Sequence, residues 1–357
     1  MRVSIVAPRE LGEAEFATWR RFLADDPSLA SPYLRPEFTR LVAEVRKDVR
    51  VAVVEDGGAV RAFLPFQRRG RVGRPVAGGL SDCQALIAAP GWECDARALV
   101  RASGLAVFDF THMRAGQRAF APFHRRVADS HVIALGAGGF EGYARERKGA
   151  GHAVVAQTLS HARRLERRLG PLRFVLHDPD PRTLHRLIAW KRRQYRATGA
   201  LDVFAHPWTV ALLERLQATR AEGFAGVLST LTAGDRLVAA HIGMRSPTVL
   251  HYWFPAYDGE HAKSAPGRIL LLELIRASAA AGIGAIELGA GDEDYKRRFA
   301  NGAVPVAAGY VGSASLPLWL RRLRHLAEAA ARRLPVGRAA RWPAALFFRL
   351  EWQRNHR

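Results

Sequence analysis

Hydrophobic positions along the chain switch between a period near two and a period near 3.6, and each switch marks an element. Val3-Ser4-Ile5-Val6 reads as a short strand, after which Phe16, Trp19, Phe22 and Leu23 fall at helical spacing. Ser31-Pro32-Tyr33-Leu34-Arg35-Pro36 is a turn feeding a second helix over 37–45. A hairpin follows, 49–55 and 59–67 around Asp56-Gly57-Gly58, with further strands expected at 85–87 and 105–110. This α+β unit is expected to end near residue 140, where Gly136-Ala137-Gly138-Gly139 reads as a joint.

Beyond the joint, Leu159, Ala162, Leu165 and Leu169 line one side of a helix over 153–169, with Arg163, Arg164, Arg167 and Arg168 on its other faces. A strand at 172–176 is stopped by Asp178-Pro179-Asp180-Pro181. Helices are predicted over 182–198, ended by Gly199, and from Pro207 to about 221. A hairpin, 225–232 and 236–244 around Gly234-Asp235, leads into the aromatic strand 249–254. An apolar helix opens at Pro266, and a short strand, Ile286-Glu287-Leu288, runs into Gly289-Ala290-Gly291-Asp292-Glu293-Asp294-Tyr295-Lys296. Pro36 opens a helix that leads to a hairpin, and Pro207 does the same, which we read as an internal duplication.

The last segment, 316–357, has ten Arg against two Glu, interleaved with Trp319, Trp342, Phe347, Phe348 and Trp352. Leu318, Leu323, Leu326 and Leu334 predict an amphipathic element broken at Pro335 and Pro343. Such an element either lies on an anionic membrane surface or packs its aromatics against the main body.

Composition changes this picture in three ways. The 357 residues suffice for two domains, and 48% hydrophobic content argues against global disorder. The net charge of +21 favours polyanionic partners, although 49 Arg against five Lys puts part of it down to compositional bias. Cys83 and Cys94 match neither a disulfide framework nor a zinc spacing. With no signal-peptide core and no apolar run of about 20 residues, the expected location is cytoplasmic, peripheral on the inner membrane face if the tail binds there. The absence of His-x-x-x-His and Cys-x-x-Cys predicts no metal, and the lack of Gly-x-Ser-x-Gly argues against a serine hydrolase.

Chemistry concentrates between His251 and Asn301. Ser264 can cap the helix that opens at Pro266, Gly267 lets a ligand approach the backbone, and free N–H groups at a helix start suit a phosphate. Lys191 falls at the same helical angle as Leu184, Leu187, Ile188 and Tyr195, so it either snorkels outward or points into a cleft. Asp292 follows the glycine turn at a strand end, whereas Glu293 and Asp294 fit a solvated turn better. His241 and His251 lie on neighbouring strands, where a histidine is more often structural than a base.

The order of an aromatic strand, a Pro266-Gly267-Arg268 helix, Gly289-x-Gly291-Asp292, Tyr295-Lys296 and Phe299 resembles the C-terminal part of the CelD/BcsL-type acetyltransferase family. That family belongs to the GNAT superfamily of acyltransferases and is similar to the FemABX aminoacyltransferases. The resemblance is firmest over 150–300 and looser over 10–310. It implies an α/β (α+β) fold of tandem GNAT-like domains, 1–140 and 141–315, each a mixed, mostly antiparallel sheet flanked by helices, plus a basic helical tail at 316–357.

It further implies N- or O-acyl transfer from acetyl-CoA or another acyl-CoA to a polysaccharide, glycolipid or cell-envelope precursor. The donor would sit at Ser264, Pro266, Gly267 and Arg268, with Asp292 as base and Tyr257 as a proton donor to the thiolate. Lys296 would offset charge, and Lys191, Trp253, Gly291, Tyr295 and Arg298 would bind the acceptor. The single glycine of the helix start departs from the usual Gln/Arg-x-x-Gly-x-Gly/Ala loop. That keeps open a FemABX-like aminoacyl-tRNA donor, for which the charge gives an electrostatic footing. A non-enzymatic protein binding polyanions or membrane surfaces is the third reading.

Overall fold

The computed structural model describes residues 1–321 and residue 323. The described chain divides into two compact units, one holding Met1–Asp26, Val42–Val127 and the residues from Val306 onward, the other Pro27–Leu41 and Ala128–Pro305. In chain order the first elements are β1 (Arg2–Val6), α1 (Glu13–Asp25), α2 (Pro36–Val45), β2 (Val49–Asp56), β3 (Ala59–Arg69), β4 (Val72–Arg74), β5 (Ile87–Ala88), α3 (Ala96–Ala102) and β6 (Val107–Arg114). Then come β7 (His124–Ala134), α4 (Gly139–Gly149), α5 (Val154–Leu169), β8 (Leu172–Val175), α6 (Pro181–Thr198), α7 (Pro207–Ala218) and β9 (Arg220–Ala221). The last are β10 (Phe224–Ala233), β11 (Arg236–Arg245), β12 (Val249–Tyr257), α8 (Pro266–Ala280), β13 (Ala285–Ala290), α9 (Asp294–Phe299) and β14 (Gly302–Gly312).

In the first unit, β1, β2, β3 and β4 pair antiparallel in sequence order, β4 runs parallel to β6, and the far end of β14 pairs antiparallel with β6. The β2–β3 hairpin can close tightly because Gly57 and Gly58 take φ of 60° and 76°, a pair of left-handed residues that tight hairpin turns require. Its core is aromatic: Phe63 stacks on Trp19 at 4.9 Å, and Phe108, Phe110 and Phe120 form a second buried group.

The second unit orders its strands β7-β13-β12-β11-β10-β8, antiparallel except for the parallel β12–β13 pair. Helices α4 and α5 pack on α8, while α6 lies on β11 and β12 and α7 on β10. The apolar side of α8 explains its place, since Ile269, Leu270, Leu271, Leu272, Leu274 and Ile275 are all buried.

The expected boundary at residue 140 falls inside the second unit. Residues 27–41 belong there because Tyr33 sets its ring edge-on against His251 at 4.8 Å and Trp253 at 5.6 Å. Residues from Ala128 belong there because β7 pairs with β13. The glycines read as a joint instead lead into α4, whose Tyr143 donates its hydroxyl to the Phe299 carbonyl at 2.8 Å. Of the expected basic tail, only residues 316–321 and 323 are described, and the rest of that element lies outside the described residues.

Candidate functional site

Strands β12 and β13 pair only at Val249 with Ala285, Leu250 with Ile286, and His251 with Glu287. Beyond that point β12 runs on through residues 252–257 and β13 through 288–290 without pairing with each other, so the two strands part into a wedge. On its other edge β12 bulges, with Tyr252 and Trp253 facing the single Gly243 of β11 between the pairs Ile242–Phe254 and Met244–His251. There the Trp253 N–H is taken by Nε2 of His241 at 3.3 Å, a side chain standing in for a ladder carbonyl. Gly243 is obligatory at the bulge, because a Cβ would come within 2.1 Å of the His251 carbonyl oxygen. His241 is fully buried and stacks on Tyr252 at 4.4 Å, and burial drives its pKa down to about 3. It is a neutral backbone acceptor.

At the apex of the wedge, Ser31 donates its hydroxyl to Oε2 of Glu287 at 2.6 Å, and Nδ1 of His251 lies 3.9 Å from the same oxygen. All three side chains are buried. At the mouth, Gly291 takes φ of 142°, and a Cβ there would meet Oε2 of Glu293 at 2.2 Å and Nζ of Lys296 at 3.0 Å. This turn brings α9 back beneath the end of β13. Lys296 is thereby buried, donating to the Ala290 carbonyl at 2.9 Å and pairing with Glu293 at 3.1 Å. From α6, half-buried Lys191 donates to the Pro255 carbonyl of β12 at 3.2 Å and lies over the Tyr195 ring. Burial pushes its pKa down to about 8, with Glu293 opposing and Lys296 adding to the fall. Two lysines and a carboxylate therefore share one locale, Lys191 of α6 bonded to β12 and Lys296 of α9 bonded to β13.

The α8 helix starts where β12 ends. Ala265, in the left-handed conformation at φ 52°, occupies the cap position, and Ser264 forms no cap bond. The expected Ser264 cap is thus replaced, because residues 259–264 wind into a 3-10 turn and Ala265 is left to reverse the chain. The Ala265 carbonyl already accepts from the N–H groups of Arg268 and Ile269, leaving the Gly267 N–H without a partner among the described residues. The Tyr257 ring lies 3.3 Å from the position of a Gly267 Cβ, so it forms one wall of this helix start. Burial, then Arg268 and Arg164, lower the pKa of His161, which locates positive charge beside the opening. Nearby, Asp258, Glu260 and His261 bring ligand atoms within 4.8 Å of one another. Asp258 caps the turn there and Arg168 donates to Nδ1 of His261, so this cluster is already engaged.

The wedge mouth brings together Lys296, Lys191 and Gly291, with half-buried Trp253 on the same strand against Tyr33 and Phe38. Tyr295 is half-buried, edge-on to Tyr252 at 6.4 Å. Asp292 is exposed, and its only described bond is through its carbonyl to Arg297. The carboxylate that reaches the lysines is Glu293, the one the pattern had assigned to a solvated turn. Arg298 is also exposed, paired with Asp294 at 2.6 Å on the outer side of α9. Sequence reasoning missed Ser31 and Glu287. A lone acid between Ile286 and Leu288 was the available signal.

Residues 154–297 match the family model of the acetyltransferase (GNAT) domain. Solved structures of similar fold include FemX, at 8% identity and TM-score 0.56, covering 91% of this chain and all of that one. The C-terminal DUF2156 domain of a lysylphosphatidylglycerol synthetase candidate from Agrobacterium fabrum is 12% identical, with TM-score 0.54 and coverage of 88% and 96%. A conserved protein of unknown function from Bacteroides thetaiotaomicron is 12% identical, with TM-score 0.55 and coverage of 86% and 99%. No curated protein sequence matches the chain. Residues 154–297 thus carry a GNAT-type acyltransferase domain, and most of the chain has a fold similar to that of FemX.

Proposed function

We propose that this acyltransferase carries an acyl group from an acyl-CoA thioester to an amine or hydroxyl of a cell-envelope precursor, within the wedge between β12 and β13. The observation that carries the reading is the early parting of that parallel pair beside the start of α8, with Lys191 and Lys296 behind the opening. The unpaired edge of β12 offers backbone groups to an extended donor arm, and the Gly267 N–H with the α8 dipole suits its diphosphate. The name of the Agrobacterium neighbour supports an envelope lipid as one class of acceptor.

In the transfer, the acceptor nitrogen or oxygen attacks the thioester carbon. The new C–N or C–O bond forms, the C–S bond breaks, and the thiolate leaves to take up a proton. Lys296 and Lys191 stabilise the negative charge that develops on the carbonyl oxygen and then on sulfur. Glu293 holds the Lys296 ammonium in place and is exposed enough to accept the acceptor's proton. Tyr257, beside Gly267, lines the donor side and supplies a phenol within the opening. Trp253, Tyr295 and the Gly291 turn border the acceptor side.

A donor of aminoacyl-tRNA is the second reading. The observation favouring it is the exposed Arg163 and Arg164 of α5, which form no ion pair among the described residues and lie on the helix that packs against α8. The test supplies radiolabelled acetyl-CoA or charged tRNA with envelope lipid and amino-sugar acceptors. Label transfer from acetyl-CoA that is lost in Gly267→Val supports the proposal. Transfer from charged tRNA alone replaces it with the second reading.

A further inference from the structure

Residues 316–321 begin a helix whose two sides differ sharply. On the inner side Leu318 is 6% exposed, and Arg321 forms a two-pronged ion pair with Asp109 of β6 while also donating to the Pro317 carbonyl at 2.9 Å. Arg74 lies 4.0 Å from the same aspartate, so the anchor is a carboxylate held between two guanidinium groups. At 100° per residue, Leu316, Trp319, Leu320 and Leu323 fall on the opposite side. They are exposed by 68%, 56%, 52% and 42%, and among the described residues the other large apolar side chains left in solvent are Met1, Val127 and Tyr257. The inner contacts fix the rotation of the helix, so the apolar stripe points outward by construction. This also corrects the expected stripe, since Leu318 and Leu323 lie on different sides.

We propose that this stripe is a seat for an anionic lipid bilayer. Charge complementarity selects that occupant: the segment from 316 to 357 carries ten Arg against two Glu, and the whole chain is at +21. A stripe of one Trp and three Leu within a strongly basic segment combines the two attractions that hold an interfacial helix, apolar burial and counter-charge. A partner protein or a second copy of this chain would have to be acidic to tolerate the same neighbourhood, and this chain is not. Among the described residues no helix is long and apolar enough to cross a membrane, so the association would be peripheral. This inference does not depend on which acyl donor is used.

The experiment sediments the full chain with vesicles of phosphatidylglycerol and phosphatidylcholine, and with vesicles of phosphatidylcholine alone, across a salt series. Binding is expected to the first and not the second, and to weaken as salt rises. The double variant Trp319→Ser, Leu320→Ser should bind at least about tenfold more weakly, because two apolar side chains no longer enter the lipid. Trp319→Phe, Leu320→Met should bind like the parent, and unchanged melting temperatures exclude misfolding as the cause. Equal binding by the serine variant, or no binding by the parent, overturns the proposal. So does a parent that dimerises through the stripe without touching vesicles.

Discussion

Each unit contains a parallel strand pair, and the two are built to opposite ends. In the first unit β4 and β6 pair at Val72 with Val107 and Gly73 with Phe108, and the junction is filled with apolar side chains. A Cβ on Gly73 would already lie 2.5 Å from Leu105 and 3.0 Å from Phe108. In the second unit the β12–β13 pair parts after His251 and Glu287, and what lies around the gap is Ser31, Glu287, His251, Lys191, Glu293 and Lys296. Burying such groups is costly unless each finds a partner. On the proposal above, the first junction serves stability and the second serves chemistry.

The largest effect expected from this contrast is on stability in the first unit. Phe63→Ala removes a fully buried ring stacked on Trp19 and should cost about 3–5 kcal/mol, read from urea unfolding. Turnover per folded molecule should be unchanged. If instead turnover collapses while stability holds, the first unit takes part in the reaction.

Next in size is Lys296→Met. Loss of a charge that acts mainly in the transition state is worth about 3 kcal/mol, a hundredfold or more in kcat. The stability cost comes from the Ala290 carbonyl left without its donor, about 1–3 kcal/mol, and the lost pair with the mostly exposed Glu293 adds little. Wild-type kcat in this variant would move the role to Lys191.

The smallest and most easily read effect is the pH response of Lys191. Its pKa falls from 10.5 to about 8 on folding, so between those values the unfolded chain holds a proton that the folded chain has released. Stability therefore rises with pH across that window, and Lys191→Met should flatten the rise. Activity should move the other way, falling as pH passes about 8 and the ammonium is lost. A parent whose activity climbs through pH 8 would make Lys191 a base rather than a cation.

The elements of the second unit were legible because period and punctuation agree: Pro181 to Gly199 frames α6, Gly234-Asp235 turns β10 into β11, and Pro266 opens α8. Lys191 stood out because it interrupts an apolar stripe, and Lys296 through the resemblance. The wedge was not legible. It is a matter of where pairing stops, which depends on a bulge and on His241 replacing a ladder carbonyl, and no local pattern encodes either. Ser31 was invisible for a different reason, since it meets Glu287 across 256 positions. That Glu293 and not Asp292 reaches Lys296 was not legible either, because the Gly291 conformation decides which of two adjacent acids turns inward.

Hydrogen exchange with and without acetyl-CoA tests the central claim most directly, because it reads both junctions in one experiment. Slower exchange is predicted along residues 252–268 and 288–296, where the wedge and the α8 start would take the donor, with no change along 72–74 and 105–109. Protection confined to the first-unit junction, or absent from both, would contradict the assignment of the chemistry to the gap between β12 and β13.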